Sequence, residues 1–457
     1  MKLKLGDHPA KILLAGYLAV ILIGSILLGL PIATVSKSIA PIDALFTATS
    51  ALCVTGLAVL PTGSTFTLFG QLVILTLIEI GGIGLMTFST FFALLLFHRI
   101  SFLEQKFFLD TIAGLKAKNF WPLVAAVFLS AFVIQAIGAV LFIPFFAEQL
   151  PFGDAVYSSI FHSVSAFCNA GFSIAADGLG GFRTHVGVNL IFMGLIVCGG
   201  LGFIVYVELY RKFRSFVTRS RFRLSIHSKL VLVTSFVLIV IGTASFFVLE
   251  NSNVLKDYNV PNAILISLFH SISARTAGFS TVDFSSVTNG TAFAFIMLMF
   301  VGGAPGSAAG GVKVTTLAVF FLLIKSQLKK KSHTDIFGRT VAPSNILNTI
   351  TLLVISVLII SAAVIMLQIT ESAGLSHRMM TRDSFLELFF ETVSAFGTVG
   401  LSIGATPILS LGGKVVIILM MFVGRIGPLT LLLLMTFRRE KERSAEFRFA
   451  EEEVAIG

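Results

Sequence analysis

Hydrophobic residues in this chain run on without the regular polar interruptions of a half-buried helix or strand. Apolar runs lie near 11–31, 66–97, 120–147, 187–210, 230–249, 291–324, 345–369 and 412–436. Each reaches the roughly 20 residues a helix needs to cross the hydrocarbon of a bilayer. The first run is longer than a signal-peptide core and lacks a cleavage site, so it is read as a span too. The pattern therefore predicts eight membrane helices. Between the two runs of each successive pair lies a shorter stretch, at 41–52, 152–167, 261–274 and 382–396. These are too short to span and are read as half-helices, with Asp43, Asp154, Asn262 and Asp383 as N-cap residues.

Each half-helix ends on a glycine segment: CVTGLA at 53–58, CNAGFS at 168–173, TAGFS at 276–280 and GTVGLS at 397–402. The shared glycines Gly56, Gly171, Gly278 and Gly400 lie 115, 107 and 122 residues apart. A Ser-Ala pair precedes them, with Ser50, Ser165 and Ser394 six residues before and Ser273 five before. Repetition at a fixed period betrays architecture before any local motif does. The expected fold is an all-α integral membrane protein of four tandem helix–pore-loop–helix repeats around one pseudo-fourfold pore. Repeats are placed at 1–105, 106–213, 214–330 and 331–437, with a tail at 438–457. A half-helix ending at mid-membrane aims the negative pole of its dipole inward, and four such ends favour a cation. Backbone that presents successive carbonyls at this depth needs glycine and is tolerated only where it lines a cavity or is buried in protein. The candidate filter residues are Val54, Thr55, Gly56, Asn169, Ala170, Gly171, Thr276, Ala277, Gly278, Thr398, Val399 and Gly400.

Composition agrees with a membrane environment. The chain is 56% hydrophobic and 12% charged, against roughly 25% charged in soluble domains. The net charge of +10 is carried by clusters at 211–229 and 325–339, by Lys2, Lys4 and Lys11, and by Arg438, Arg439, Lys441 and Arg443. Threading eight spans in order puts all of these on one side, which the positive-inside rule makes cytoplasmic together with both termini. The basic charge then requires no nucleic acid, and suits an acidic partner or anionic lipid headgroups. Cys53, Cys168 and Cys198 have no metal-ligand spacing. An intramembrane enzyme would need paired carboxylates or a Ser-His pair, which the lone Glu79 and scattered His162 and His270 do not supply; packing is the expected role of the two histidines.

A second glycine motif follows 24 to 28 residues beyond each pore glycine: Gly81-Gly82-Ile83-Gly84, Gly199-Gly200-Leu201-Gly202, Gly302-Gly303 and Gly424-Arg425-Ile426-Gly427. Close helix packing around a central cavity is the first expectation for it, and bending the second. The third copy differs, because residues 302–311 read Gly302, Gly303, Ala304, Pro305, Gly306, Ser307, Ala308, Ala309, Gly310 and Gly311. Interior glycine costs about 1 kcal/mol and proline about 3 kcal/mol relative to alanine, so this helix should break into a loop below the filter. Broken helices at this depth mark ion pathways, and the loop is the expected gate. Arg425 is expected to face it and hold its carbonyls, or to set a positive barrier; Lys313 closes it or snorkels to the interface. Glu79 and Arg275 are read as structural, Arg275 as a brace on the third filter loop.

With these motifs in view, the sequence resembles the potassium-translocating subunit of the Ktr/Trk/HKT family, of the KtrB type. The resemblance runs from ALFTATSALCVTGLAV at 44–59 through GGAPGSAAGGVKVTT at 302–316 to FVGRIGPLT at 422–430. It implies potassium uptake across the cell membrane, with Gly56, Gly171, Gly278 and Gly400 as filter glycines, 302–311 as gate and Arg425 as the arginine of the last helix. It also implies a homodimer on a cytoplasmic, nucleotide-binding KtrA-type ring, with 211–229, 325–339 and the tail as candidate contacts. Any ATP or ADP control would then come through that partner, and sodium activation is a further implication. Only Thr398-Val399-Gly400 nearly matches the TVGYG of potassium channels, and its second glycine is missing in all four loops. Fewer carbonyl rings and looser discrimination against sodium are expected. The alternative is a sodium-selective or sodium-coupled relative.

Overall fold

A computed structural model describes residues 9–84, 120–175, 178–331, 333–372 and 382–427. Lys2, Lys4, the segment 85–119 and the tail 438–457 lie outside the described residues, as do the side chains of Lys11 and Asp383. In chain order the helices longer than one turn among the described residues are α1 (Pro9–Leu28), α2 (Pro41–Leu52), α3 (Leu68–Ile83), α4 (Phe120–Phe146), α5 (Phe152–Phe167), α6 (Val186–Leu201), α7 (Phe203–Val217), α8 (Ile226–Glu250), α9 (Val260–Ser273), α10 (Asn289–Met299), α11 (Val314–Leu328), α12 (Pro343–Ser372), α13 (Arg382–Gly397) and α14 (Leu411–Ile426). A short antiparallel hairpin, β1 (Asp335–Ile336) with β2 (Arg339–Thr340), departs from the all-α expectation.

The half-helices α2, α5, α9 and α13 begin and end within a residue of their predicted bounds. Their caps differ from expectation. Asp43 and Asp154 sit in the first turn behind Ala40 and Pro151, and among the three half-helices whose N-caps are described only α9 has a side-chain cap, where Asn259 accepts from the Asn262 amide at 3.1 Å. Asp43 and Asp154 are one turn too far along to cap and complement the helix dipole instead, and Asn262 receives the cap where it was expected to be one. Side-chain caps do start the following helices: Thr67, His185, Thr288 and Ser410 accept from Gly70, Val188, Thr291 and Gly413.

The apolar runs are not eight uninterrupted spans. Three described helical stretches are long and apolar enough to cross a membrane alone, Val127–Phe146, Ile226–Glu250 and Pro343–Ser372. Elsewhere the apolar run is divided, as where α6 and α7 meet at 104° and where α10 and α11 flank an irregular loop. The glycine motif explains the first break. Gly84, Gly202 and Gly427 have φ of 92°, 80° and 88° and end α3, α6 and α14, a conformation that side chains rarely adopt. Bending thus outranks packing at Gly202, and helix termination does so at Gly84 and Gly427. Packing holds for the first glycine of the motif, since a Cβ on Gly81, Gly199 or Gly424 would strike the carbonyl oxygen of Leu52, Phe167 or Phe396 at the end of a half-helix.

The half-helices sit in a ring. Each second helix packs on the next half-helix in the sequence, α3 on α5, α6 on α9, α10 on α13, and α14 back on α2. The closing contact carries the ion pair Lys414–Asp43 at 2.6 Å, both side chains 15% exposed. Replacing Lys414 by methionine is expected to destabilise the protein in detergent by about 3 kcal/mol, because the largely buried Asp43 carboxylate loses its partner, with a lower unfolding temperature as the measurement. Long apolar side chains such as Leu22, Ile23 and Ile26 of α1 and Val357, Leu358 and Ile365 of α12 are exposed, which suits a lipid-facing perimeter.

Candidate functional site

Four loops meet inside the ring. Val54, Asn169, Thr276 and Thr398, two residues before each glycine, have φ of 56°, 60°, 69° and 50°, and the glycines themselves have 88°, 71°, 72° and 94°. Three of those four non-glycine residues are β-branched, a poor match to left-handed backbone, and such strain persists only where its surroundings fix it, commonly at functional sites. The loops also interlock. A Cβ on Gly56 would meet the Ala170 carbonyl and stand 2.9 Å from the Gly171 Cα. On Gly171 it would meet the Ala277 carbonyl, on Gly278 that of Val399, and on Gly400 that of Thr55. The carbonyls of Thr55, Ala170, Ala277 and Val399 therefore close a ring on the four glycines.

The Ser-Ala serines hold this backbone from behind. The amides of Thr55, Ala170 and Val399 each donate to the serine carbonyl five residues earlier at 2.8 Å. Ser50 Oγ donates to Leu57 O at 2.7 Å and accepts from Gly56 N at 3.1 Å; Ser165 Oγ donates to Phe172 O at 2.8 Å; Ser273 Oγ donates to Phe279 O; Ser394 Oγ accepts from Gly400 N at 3.1 Å. With the amides tied outward, the carbonyl oxygens remain the groups available to a cation. The buried Thr55 and Thr398 hydroxyls have no protein partner, which suits a polar path. Ser165→Ala is expected to leave the Phe172 carbonyl unpaired, cost about 1 kcal/mol and weaken the apparent affinity for a cation at the loops several-fold, as cation-binding measurements would show.

Sequence reasoning gave His162 and His270 a packing role, which their stacking on Phe146 and Phe246 bears out, but passed over the hydrogen bonds of the set they belong to. Three residues before each serine stand Thr47, His162, His270 and Glu391. His162 Nδ1 donates to Ser158 O at 2.8 Å, which leaves Nε2 to accept from Ser173 Oγ at 2.9 Å. His270 Nδ1 likewise donates to Ile266 O at 2.8 Å, and its Nε2 accepts from Thr281 N at 3.2 Å. Glu391 accepts from Ser402 Oγ and Thr406 Oγ1, both at 2.5 Å, and from Ile403 N at 3.2 Å. The signal was present as covariation inside the chain. Serine stands two residues after the pore glycine in these three copies, and alanine, Ala58, in the copy that has Thr47.

The segment 302–311 crosses directly below the ring. A Cβ on Gly302 would approach Thr276 Cγ2 at 3.3 Å, one on Gly310 would strike the Thr398 side chain, and one on Gly311 would meet Gly397. Its polar groups bond to the other repeats. Ala304 N donates to Gly200 O at 2.9 Å, Ala308 N to Gly199 O at 3.1 Å, Gly311 N to Gly424 O at 3.3 Å, and Phe203 N to Gly306 O at 3.2 Å. Ending α6 and α14 at the glycine motif frees the carbonyls that receive these bonds. Arg425 donates to Ala308 O and also to Gly81 O, tying the segment to the first repeat. Lys313 Nζ donates to Ala309 O at 2.7 Å and stays within the loop.

Arg275 finds another partner than expected, while Glu79 takes a structural role as read. Arg275 donates to Ser235 Oγ at 3.0 Å and to Ser235 O at 3.4 Å on α8, not to the filter loop. Glu79 accepts from Gln135 Nε2 at 3.0 Å and from Cys168 Sγ at 3.5 Å, not from a cation. No group of three or more His, Cys, Asp or Glu side chains suited to a metal exists among the described residues.

Comparison with known proteins places this architecture. The TrkH family, described as cation transport protein, matches residues 8–446. The chain is 37% identical over 453 residues to Ktr system potassium uptake protein B of Bacillus subtilis, covering 98% of this chain and 97% of that one. It is 37% identical to Ktr system potassium uptake protein B of Vibrio alginolyticus, covering 93% and 90%, and 35% identical to the potassium/sodium uptake protein NtpJ of Enterococcus hirae, covering 98% and 97%. The fold matches the crystal structure of the potassium transporter TrkH from Vibrio parahaemolyticus with a TM-score of 0.70 at 18% identity, over 95% of this chain and 87% of that one.

Proposed function

The chain belongs to the TrkH family of cation transport proteins, and from that membership we propose that it takes up potassium through an axial path lined by the four glycine loops. The relatives named above are potassium uptake proteins. The observation that carries the reading is the closed ring in which the Thr55, Ala170, Ala277 and Val399 carbonyls abut Gly400, Gly56, Gly171 and Gly278. Eight spans, some built from two pieces, surround it in four repeats, with both termini and the basic clusters on the cytoplasmic side of the cell membrane. Potassium is the cargo, held in passing by backbone carbonyls. The segment 302–311, latched by Arg425 and the Gly199 and Gly200 carbonyls, is the gate.

The chain acts as a homodimer, and a cytoplasmic nucleotide-binding ring docks on the basic segments 211–229 and 325–339 and controls the gate. ATP and ADP act through that ring. Expression in a strain lacking its own potassium uptake is expected to restore growth at limiting potassium, more strongly with a regulatory subunit present. Failure under both conditions, with the protein in the membrane, would reject the reading. A second reading, with sodium as co-substrate or activator, is favoured by the name of the Enterococcus hirae relative and by the missing second glycine of each loop. Potassium uptake that does not change when external sodium is removed would count against it.

A further inference from the structure

The interruption of the third repeat opens a groove on the outer wall of the protein. Because α10 stops at Met299 and α11 starts at Val314, the two pieces do not cover α8 continuously. The resulting cavity has a volume of about 670 Å³. Its walls are almost wholly apolar, with Val237 and Ile241 from α8, Met297 from α10 and Phe321 from α11, and Val301 at its inner end. Val237, Ile241, Met297 and Phe321 are 45 to 59% exposed, so the groove faces the surroundings and not the pore.

Its two ends differ chemically. One is closed by Lys325 and Phe337, and Lys229 Nζ stands 5.2 Å from the Phe337 ring centroid. Neither lysine is paired with a carboxylate among the described residues. The other end, at Ser245 and Ala294, holds no charge. From Leu230 to Ser245 the groove follows α8 for about 22 Å at 1.5 Å per residue. That exceeds half of a hydrocarbon core of about 30 Å, enough for one acyl chain lying along the helix from the basic end to mid-membrane.

We propose that this groove is a binding site for one anionic phospholipid of the cytoplasmic leaflet, with its phosphate at Lys229 and Lys325 and an acyl chain against the neck of the 302–311 loop. The assignment rests on the orientation proposed above. Charge complementarity selects the occupant: unpaired lysines at one end call for an anionic headgroup, and an apolar trough below them calls for a hydrocarbon chain. The chain would lie on Val301, which bridges Val312 where the loop leaves and rejoins the helices. A lipid there fills the space that the broken helix leaves behind the gate.

The test is native mass spectrometry of the purified full-length protein after exchange into mixed micelles of phosphatidylglycerol and phosphatidylcholine with identical chains. The wild type is expected to retain phosphatidylglycerol, with a preference of about fivefold per lysine, the increment of a basic side chain at an anionic surface. The Lys229→Gln/Lys325→Gln double variant should lose that preference, and Ala294→Phe should reduce retention of both lipids by occupying the trough. Equal retention of the two lipids by the wild type, or unchanged retention in both variants, would overturn the proposal. So would a change in oligomeric mass on Ala294→Phe with lipid retention unaltered, which would make the groove a contact between copies. Lipid retention reads no ion flux, so it stands apart from the transport reading, and labelling a cysteine placed at Lys331 from either side checks the orientation separately.

Discussion

Replacing Gly278 by serine is expected to lower potassium uptake roughly 5- to 150-fold and to raise the share of sodium in what remains. Two costs combine at this position. Its φ of +72° is one that side-chain-bearing residues adopt with strain of about 1–3 kcal/mol, and each 1.4 kcal/mol is a factor of ten. The added Cβ would also strike the Val399 carbonyl and stand 3.0 Å from the Gly400 Cα, so the third and fourth loops must separate. A ring whose carbonyls no longer stand at one level coordinates a dehydrated potassium ion less well, and a smaller or partly hydrated ion is penalised less. Gly194→Ala is the control, because a Cβ there meets nothing within 4 Å. Radiotracer potassium and sodium uptake measures both. Unchanged selectivity in a variant that reaches the membrane would mean that this loop does not line the path.

The four loop glycines were legible as backbone positions because the constraint on them is local. A backbone that must turn left-handed beside a neighbouring carbonyl admits glycine and little else, so the requirement is written at the residue itself. The break at 302–311 was legible for the same reason, since five glycines and a proline cannot continue a helix. The breaks at Gly84, Gly202 and Gly427 were not. One glycine in an apolar helix is as compatible with packing as with termination, and only the positions of Leu52, Phe167, Phe396 and the crossing loop separate the first glycine of each motif from the last. Arg425 was placed correctly beside the loop, but its second bond to Gly81 joins residues far apart in sequence and has no sequence signature. Glu391 reads as one more acid in a polar half-helix; its role appears only when Ser402, Ile403 and Thr406 fold back over it. Register within the half-helices was recoverable, whereas partners across repeats were not.

Deleting residues 304–309 is expected to raise potassium flux through the resting protein by about tenfold or more. On the proposed path the segment stands directly below the ring, with Gly302 and Gly310 against Thr276 and Thr398, so an ion leaving the ring would meet it first. What holds it there is a small set of bonds, three from loop amides to Gly199 O, Gly200 O and Gly424 O, one from the Phe203 amide to Gly306 O, and one from Arg425 to Ala308 O. At about 0.5–1.5 kcal/mol for a neutral bond and 1.5–3 kcal/mol for a charged donor, these bonds are strong enough to keep the segment in place and weak enough that the proposed regulatory ring could release it. Arg425→Ala removes the bond to Ala308 and the link to Gly81 while leaving the loop intact, so it should raise flux by less than the deletion does. Arg425→Lys keeps the charge but not the fork that reaches both carbonyls, and should fall between alanine and wild type. That ordering distinguishes a gate from a structural strut. A strut would lose folded protein in the same order, so surface expression measured beside flux decides between them, and flux per folded molecule that stays flat across all three variants would remove 302–311 as the barrier.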